Sequence, residues 1–510
     1  MRTKNSIYNV IGVMVLYFTK IVVTFIGKTV LIRIMGDQYN GLNGLFSNII
    51  SMLSIAELGV GSAIIYNLYE PVRNRDLTRI KSIMRFYRKC YHAIAGIVFA
   101  IGVCVLPLVK SIVGEVAVDE SVYVIYLFYL LDSVMSYFLS YKRSIIYVYQ
   151  KNYIISIFDT LYVACMQLLQ VGIILVTHNF LLYLTVMTIS RVVENIGIHL
   201  YVNRQYPFLL DKDTEPISDD VKRDIVTKVK GLMFHNIGSY IVFGTDNILI
   251  SKLVGIIEVG FYSNYMAIFN PLANILKQVI TSVQASVGDL LVEKDSEKNF
   301  QIFKKLELIN FWLYTSVSIS VFYVVQDFVV LWLGERYLFN TNIVFCLVLN
   351  FWQTGMRNVL SVFKGAAGIY YEDRYIPLLE SVINVIVSVI LTLKFGIVGI
   401  FIGTFISSLC LFFYSYPFLV YKNILGRKVM DYFKSFLRFI LEWIGYILLV
   451  GIVSKEYDRL GLIQSQLLNF IVKSGVVFVV VNFLLYVTHG RSCEFKYFYG
   501  LFCKKILKQD

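Results

Sequence analysis

Five basic residues interrupt otherwise apolar stretches of the chain: Lys20, Lys28, Arg191, Lys277 and Arg357. A charge near the centre of a bilayer costs about 3 kcal/mol or more, so such residues line water-filled cavities or pair with other groups. An arginine grips phosphate oxygens through two parallel hydrogen bonds, and a lysine serves as a point charge. The set therefore suits a cationic cavity that binds an anionic substrate. Six acids lie in similar surroundings: Glu57, Asp132, Asp159, Glu194, Asp246 and Glu380. They offer a second reading, in which acids neutralise the cations, and the sequence leaves both open. Arg191 and Glu194 stand three apart and can pair on one helix. Lys20, Lys28, Lys277 and Arg357 have no acid at such a spacing. Arg33, at a helix end, is expected to snorkel to the interface. Lys473 lies beyond the region that holds the other five. Buried carboxylates exchange protons, which makes Asp246 and Glu57 candidates for coupling to Na+ or H+; a salt bridge is the alternative for each.

Polar residues recur at helical spacing around these charges. Asn9, Tyr17, Lys20, Thr24, Gly27 and Lys28 fall within an arc of about 100° on one helix. Asn270, Asn274, Lys277, Thr281 and Gln284 share a face of another, with Pro271 expected to kink it. Gln353, Thr354, Arg357, Ser361 and Lys364 line one side of a third. His235, Asn236, Ser239 and Asp246 line a fourth. Polar groups facing lipid are costly, so each stripe marks a surface turned to protein or water. Thr24, Asn270, Asn274 and Gln353 are the uncharged residues expected to line a cavity.

Other chemistries lack their residues. No glycine-rich phosphate loop is present, so ATP hydrolysis is not expected. The five histidines are scattered without metal-ligand spacing, and no metal or cofactor is expected. The seven cysteines, Cys90 to Cys503, stand singly with no redox or zinc spacing. A net charge of +13 reads as basic loops against anionic lipid heads, with no nucleic acid partner.

The elements that position these residues must be membrane helices. Only 16% of the residues are charged against 57% hydrophobic, where a soluble domain has about a quarter charged. Hydropathy predicts an all-α polytopic protein with about fourteen spans. They lie near 9–33, 43–67, 92–113, 122–146, 153–177, 180–203, 232–254, 261–290, 306–334, 341–366, 376–394, 397–421, 437–454 and 464–488. The first apolar run is longer than a signal-peptide core and lacks a cleavage pattern, so it reads as a retained span. With both termini inside, the inner segments hold 34 of the 47 Lys and Arg, and the outer loops and helix ends hold seven. That asymmetry orients the chain by the positive-inside rule. Outer connections are short, the longest near 455–463, so no outer catalytic domain is expected.

The longest inner loop, about 204–231, suggests a linker between a six-helix lobe at 1–203 and a second at 232–421. An accessory helix pair and basic tail follow at 422–510. The turn after the first span, VLIRIMGDQYNGL, and the turn after the seventh, ILISKLVGIIEVGF, share a pattern. A basic residue (Arg33, Lys252) precedes a glycine by three, and a second glycine follows five residues on: Gly36 with Gly41, Gly255 with Gly260. An internal repeat accounts for this, with the two halves in the same orientation and a binding site expected between them.

Three segments carry a resemblance: AELGVGSAIIYNL in the second span, MGDQYNGL in the outer turn, and GTDNILISKLVGIIEVGFYSNYMAI opening the second half. They resemble the polysaccharide transporter family, of the O-antigen and capsular repeat-unit flippase type. That family belongs to the superfamily of multidrug, oligosaccharidyl-lipid and polysaccharide exporters. The resemblance covers the first twelve spans and its motifs are short and hydrophobic. It implies two six-helix bundles in a V-shaped arrangement, with alternating access. It implies a non-enzymatic flippase for undecaprenyl-pyrophosphate-linked oligosaccharide repeat units, moved from the inner to the outer leaflet of the bacterial cytoplasmic membrane. By position, Lys20, Lys28, Lys277 and Arg357 match the cations that line relatives' cavities, and Asp246 falls where relatives carry an acid. It further implies coupling to a Na+ or H+ gradient or the membrane potential, and polymerase and chain-length partners of the same pathway. The last two spans resemble those of fourteen-span members such as the lipid II flippases. Competing expectations are a Na+- or H+-coupled extruder of cationic drugs, which needs a net acidic cavity, and a membrane glycan polymerase, which needs a sizeable outer loop.

Overall fold

The structure is a computed structural model. It describes the backbone of residues 2–506 except 54–56, 58–59, 150, 212–215, 294, 370–371 and 462, and the side chains of these apart from 2–15, 62, 152, 224, 228, 230–243, 285, 498 and 501–506. The described residues hold helices and connections, with no strand among them. This is what a bilayer demands, because a helix satisfies its backbone groups internally.

The chain divides into two compact units, 1–264 and 265–510. The first contains α1 (Arg2–Met35), α2 (Asp37–Leu53), α3 (Val60–Asn74), α4 (Leu77–Val105), α5 (Val109–Val113), α6 (Val122–Tyr137), α7 (Arg143–Val148), α8 (Asn152–Thr177), α9 (Phe180–Gln205) and α10 (Asp219–Leu253). The next helix, α11 (Ile256–Thr281), runs unbroken through Pro271 and crosses the boundary between units. The second unit continues with α12 (Gln284–Val292), α13 (Ser296–Trp332), α14 (Thr341–Ala366), α15 (Ile376–Phe395), α16 (Ile397–Cys410), α17 (Val429–Leu460), α18 (Gln466–His489) and α19 (Cys493–Ile506). Beyond α16 the chain continues as a π-helical stretch, Leu411–Ile424, that contains Pro417.

Helix starts follow local sequence. Asp76 accepts from the amide of Arg79 at α4, Asn179 from Leu182 at α9, Asp295 from Glu297 and Lys298 at α13, and Asn340 from Asn342 at α14. Each side chain satisfies amides that the first helical turn leaves unpaired.

Among the described residues, ten helices are long and apolar enough to cross a membrane. Their outer faces present Leu168, Val176, Leu393 and Leu441 in the open, a surface suited to hydrocarbon. Among the described residues, the fourteen stretches expected from hydropathy fall mainly on helices; the fourth is broken between α6 and α7, and the eighth between α11 and α12. The stretches near 9–33, 43–67, 232–254 and 341–366 are not among the ten. Asn350, Gln353, Arg357 and Asn358 dilute the last of these, α14.

The second unit is built around α13 and α14. Trp352 of α14 stacks on Trp443 of α17 at 5.0 Å, and both indole N–H groups are satisfied, by Thr315 at 3.1 Å and Ser318 at 3.0 Å. Trp312 donates to Asn482 of α18 at 2.8 Å, and Phe311 stacks on Phe439 at 4.3 Å. The helices after the twelfth expected span are thus packed into the core of the second unit. Buried indoles need a hydrogen-bond acceptor, so these pairings fix helix register as well as burial.

Candidate functional site

In the first unit, the two glycine-marked turns meet. Gly36 (φ 88°) ends α1 and Gly255 (φ 151°) ends α10, conformations that favour glycine. Gly41 and Gly260 then let the following helices touch. A Cβ on Gly41 would sit 2.1 Å from the carbonyl oxygen of Ile256, and one on Gly260 would sit 3.0 Å from that of Asp37. Asn40 closes the seam, donating to the Gly260 carbonyl at 2.9 Å and to Asn264 at 3.0 Å. Asn247 donates to the Gly44 carbonyl at 3.2 Å. The matched positions of the two turns therefore perform matched tasks: the first glycine breaks a helix, the second admits a neighbour's backbone. This seam also carries the first unit past 204–231 to Asn264.

Lys28 belongs to the seam. Its ammonium donates to the carbonyl and hydroxyl oxygens of Ser263, at 2.6 and 2.7 Å. Lys20, two turns earlier on α1, is half-buried and has no hydrogen-bond or ion-pair partner among the described residues; Thr24 is exposed beside it. Gly27 marks close packing of α1 on α8, where a Cβ would collide with the Gln167 side chain.

Arg191 is paired within a charged cluster of the first unit. It bonds Glu194 at 3.0 Å, lies 3.5 Å from Asp132, and stacks over Tyr162 at 4.5 Å. Arg143 bridges Asp159 and Glu194, both at 2.7 Å. Three acids thus face two arginines, drawn from α6, α7, α8 and α9. Sequence reasoning placed Arg143 at the inner end of the stretch near 122–146. The signal that points to it is the excess of acids on the fourth to sixth stretches, which needs another cation nearby.

Glu57 accepts a hydrogen bond from Tyr91, which in turn accepts one from Tyr87 at 3.2 Å. Asp246 is buried on α10 with Tyr262 nearby. His235, Asn236 and Ser239 lie outside the described side chains, as does Asn9.

In the second unit, Arg357 of α14 pairs with Glu380 of α15 at 2.6 Å, and its guanidinium also faces Phe412 at 5.9 Å. Lys364, from the same stripe, pairs with Asp373, which also accepts from Ser415. Gln353 is buried and donates to the Phe405 carbonyl at 3.4 Å, joining α14 to α16. Asn270, Asn274 and Lys277 remain on one open face of α11 and have no partner among the described residues. Of the expected cations, Lys20 and Lys277 are therefore open, Lys28 is held by neutral oxygens, and Arg191 and Arg357 are held by carboxylates.

No family model matches the chain. A curated relative from Klebsiella pneumoniae, an uncharacterized membrane protein in the cps region, is 25% identical over 283 residues. The match covers 54% of this chain and 55% of that protein, so the chain spans about half the relative's length. Among solved structures, the lipid II flippase MurJ in an inward closed conformation matches with a TM-score of 0.65 at 10% identity, over 94% of this chain and 99% of that one. This chain has the MurJ fold. The inward-facing structure of a MATE family multidrug transporter, of the MOP superfamily, also matches, with a TM-score of 0.58 at 14% identity. It covers 76% of this chain and 91% of its own. The MurJ and MATE likeness agrees with the expected fold, that of a multi-pass, all-helical membrane protein.

Proposed function

We propose that the protein is a flippase. It moves undecaprenyl-pyrophosphate-linked oligosaccharide repeat units from the inner to the outer leaflet of the cytoplasmic membrane, by alternating access, for surface polysaccharide synthesis. The observation that carries this reading is the pair of open cations, Lys20 and Lys277, on polar faces of a MurJ-fold protein. A pyrophosphate carries about two negative charges and does not cross hydrocarbon unaided. Lysines without a carboxylate partner attract such a group, while the polyprenyl tail stays in lipid. Arg191 and Arg357, already neutralised, shape the units that hold those lysines. The potential assists outward movement of an anion by about 2.3 kcal/mol per charge per 100 mV. The relative in the cps region supports a polysaccharide setting.

The MATE likeness favours one second reading, an ion-coupled extruder of cationic drugs, with Asp246, Glu57 or the acid-rich cluster at Glu194 as its coupling groups. Export of surface glycan in a flippase-deleted strain separates the two. The flippase reading predicts that the wild-type chain restores export and that Lys20→Ala with Lys277→Ala abolishes it at unchanged membrane level. Full export by that double variant overturns the role of the lysines, and drug resistance without glycan export favours the extruder.

A further inference from the structure

The first unit holds a second cationic site, separate from the Lys20 face. Lys81, Arg85 and Arg88 stand at i, i+4 and i+7 of α4 and so project from one side of it. They line a partly open cavity of about 410 Å3, together with Lys142, His199 and Asp211. That volume lies within the range of about 300–1,000 Å3 found for small-molecule sites.

Among the described residues that line this cavity the charge balance is one-sided: four cations meet one carboxylate, Asp211, which is bonded to Lys81 at 3.1 Å and is largely in solvent. An exposed pair of that kind neutralises little. Lys142 is only 4% exposed and donates to the neutral side chain of Asn203. Arg88 faces the hydroxyl of Tyr141 and the ammonium of Lys142. The Nδ1 atom of His199 is enclosed and has no hydrogen-bond partner among the described residues. Like charges gathered around a cavity repel one another, and an anion inside relieves that repulsion. Two guanidiniums and two ammoniums on the lining residues offer several donors to one cavity, the recognition chemistry of phosphate oxygens.

The geometry points to a phosphate-binding site in this cavity, one that takes a phosphate or diphosphate group from a lipid headgroup or from a soluble ester. The α4 end that carries it belongs to the segment 68–91, which the charge asymmetry assigns to the inner side. The site stands whether or not the transport reading holds.

The test uses the full-length protein in phosphatidylcholine nanodiscs, with inorganic pyrophosphate as probe and calorimetry as readout. The expected result is saturable binding that weakens by about tenfold or more in Arg85→Gln/Arg88→Gln, the loss of at least one charge-assisted hydrogen bond. Asp211→Asn removes the carboxylate that pairs with Lys81 and tightens binding, a gain that misfolding does not produce. Nanodiscs containing phosphatidylglycerol distinguish the source: competition with pyrophosphate identifies a lipid headgroup, and its absence identifies a soluble phosphate. Unchanged binding in both variants overturns the proposal. So does binding that survives Arg85→Gln/Arg88→Gln and disappears in Lys20→Ala/Lys277→Ala, a result that would leave the transport reading standing.

Discussion

Replacing Arg357 with alanine tests whether this residue is structural. The guanidinium and the Glu380 carboxylate meet at 2.6 Å, with side chains only 12% and 7% exposed. At that burial, removing one partner leaves a charge without solvent or counterion, at a cost of about 3–5 kcal/mol. The same change at an exposed pair costs about 0–1 kcal/mol. Total domain stability is only about 5–15 kcal/mol, so the variant should retain little reserve. The assay is reversible unfolding in mixed detergent micelles, read by tryptophan fluorescence, on Arg357→Ala, Glu380→Ala and the double variant. The pair predicts that each single change is severe and that the double is milder than their sum, with a coupling of about 1–3 kcal/mol. Arg357→Met with Glu380→Leu should recover most of the loss, because an apolar pair of similar volume replaces the ions. Additive effects, or wild-type stability in Arg357→Ala, refute the reasoning. Loss of glycan export at intact stability would instead place Arg357 on the substrate.

Other changes probe the seam and the remaining charged groups. Gly41→Ala sets a methyl 2.1 Å from the Ile256 carbonyl, so α2 and α11 must separate, and the melting temperature should fall by more than it does in Gly36→Ala. The latter has open space around it and carries only the backbone cost of φ 88°, about 1 kcal/mol. Lys473→Met leaves Asp327 and Asp458 without the ammonium that lies 2.9 and 3.0 Å from them, and should lower detergent stability. Adding Asp327→Asn should restore part of that loss. Lys28→Met removes two hydrogen bonds to Ser263 without orphaning an acid, and should lower the melting temperature less than Arg357→Ala does.

Much of the layout was legible because bilayers permit few solutions. Apolar runs of span length became helices, and the matched glycines of the two turns identified positions that meet in the structure. Their spacing was informative because a left-handed break and a close backbone approach both require glycine. The role of Arg357 was less legible, since its partner Glu380 lies on the next helix, and spacing reports only same-helix neighbours. Arg143 was missed for a related reason: hydropathy placed it at a helix end, whereas the short helix α7 turns it toward Asp159 and Glu194. The break between α6 and α7 was also hidden, because Phe138 and Leu139 at it are apolar. The cavity beside α4 escaped because its residues were counted as loop charge, and three-residue and four-residue spacings within a basic segment are common on solvated faces.

The most direct measurement of the central claim is flipping in proteoliposomes. A fluorescent polyprenyl-diphosphate oligosaccharide is placed in one leaflet, and its appearance in the other is followed by quencher access. The account predicts rapid protein-dependent flipping by the wild-type chain, slowed strongly by Lys20→Ala with Lys277→Ala and accelerated by a potential positive on the receiving side. Transport of a cationic dye with no movement of the diphosphate lipid would contradict it.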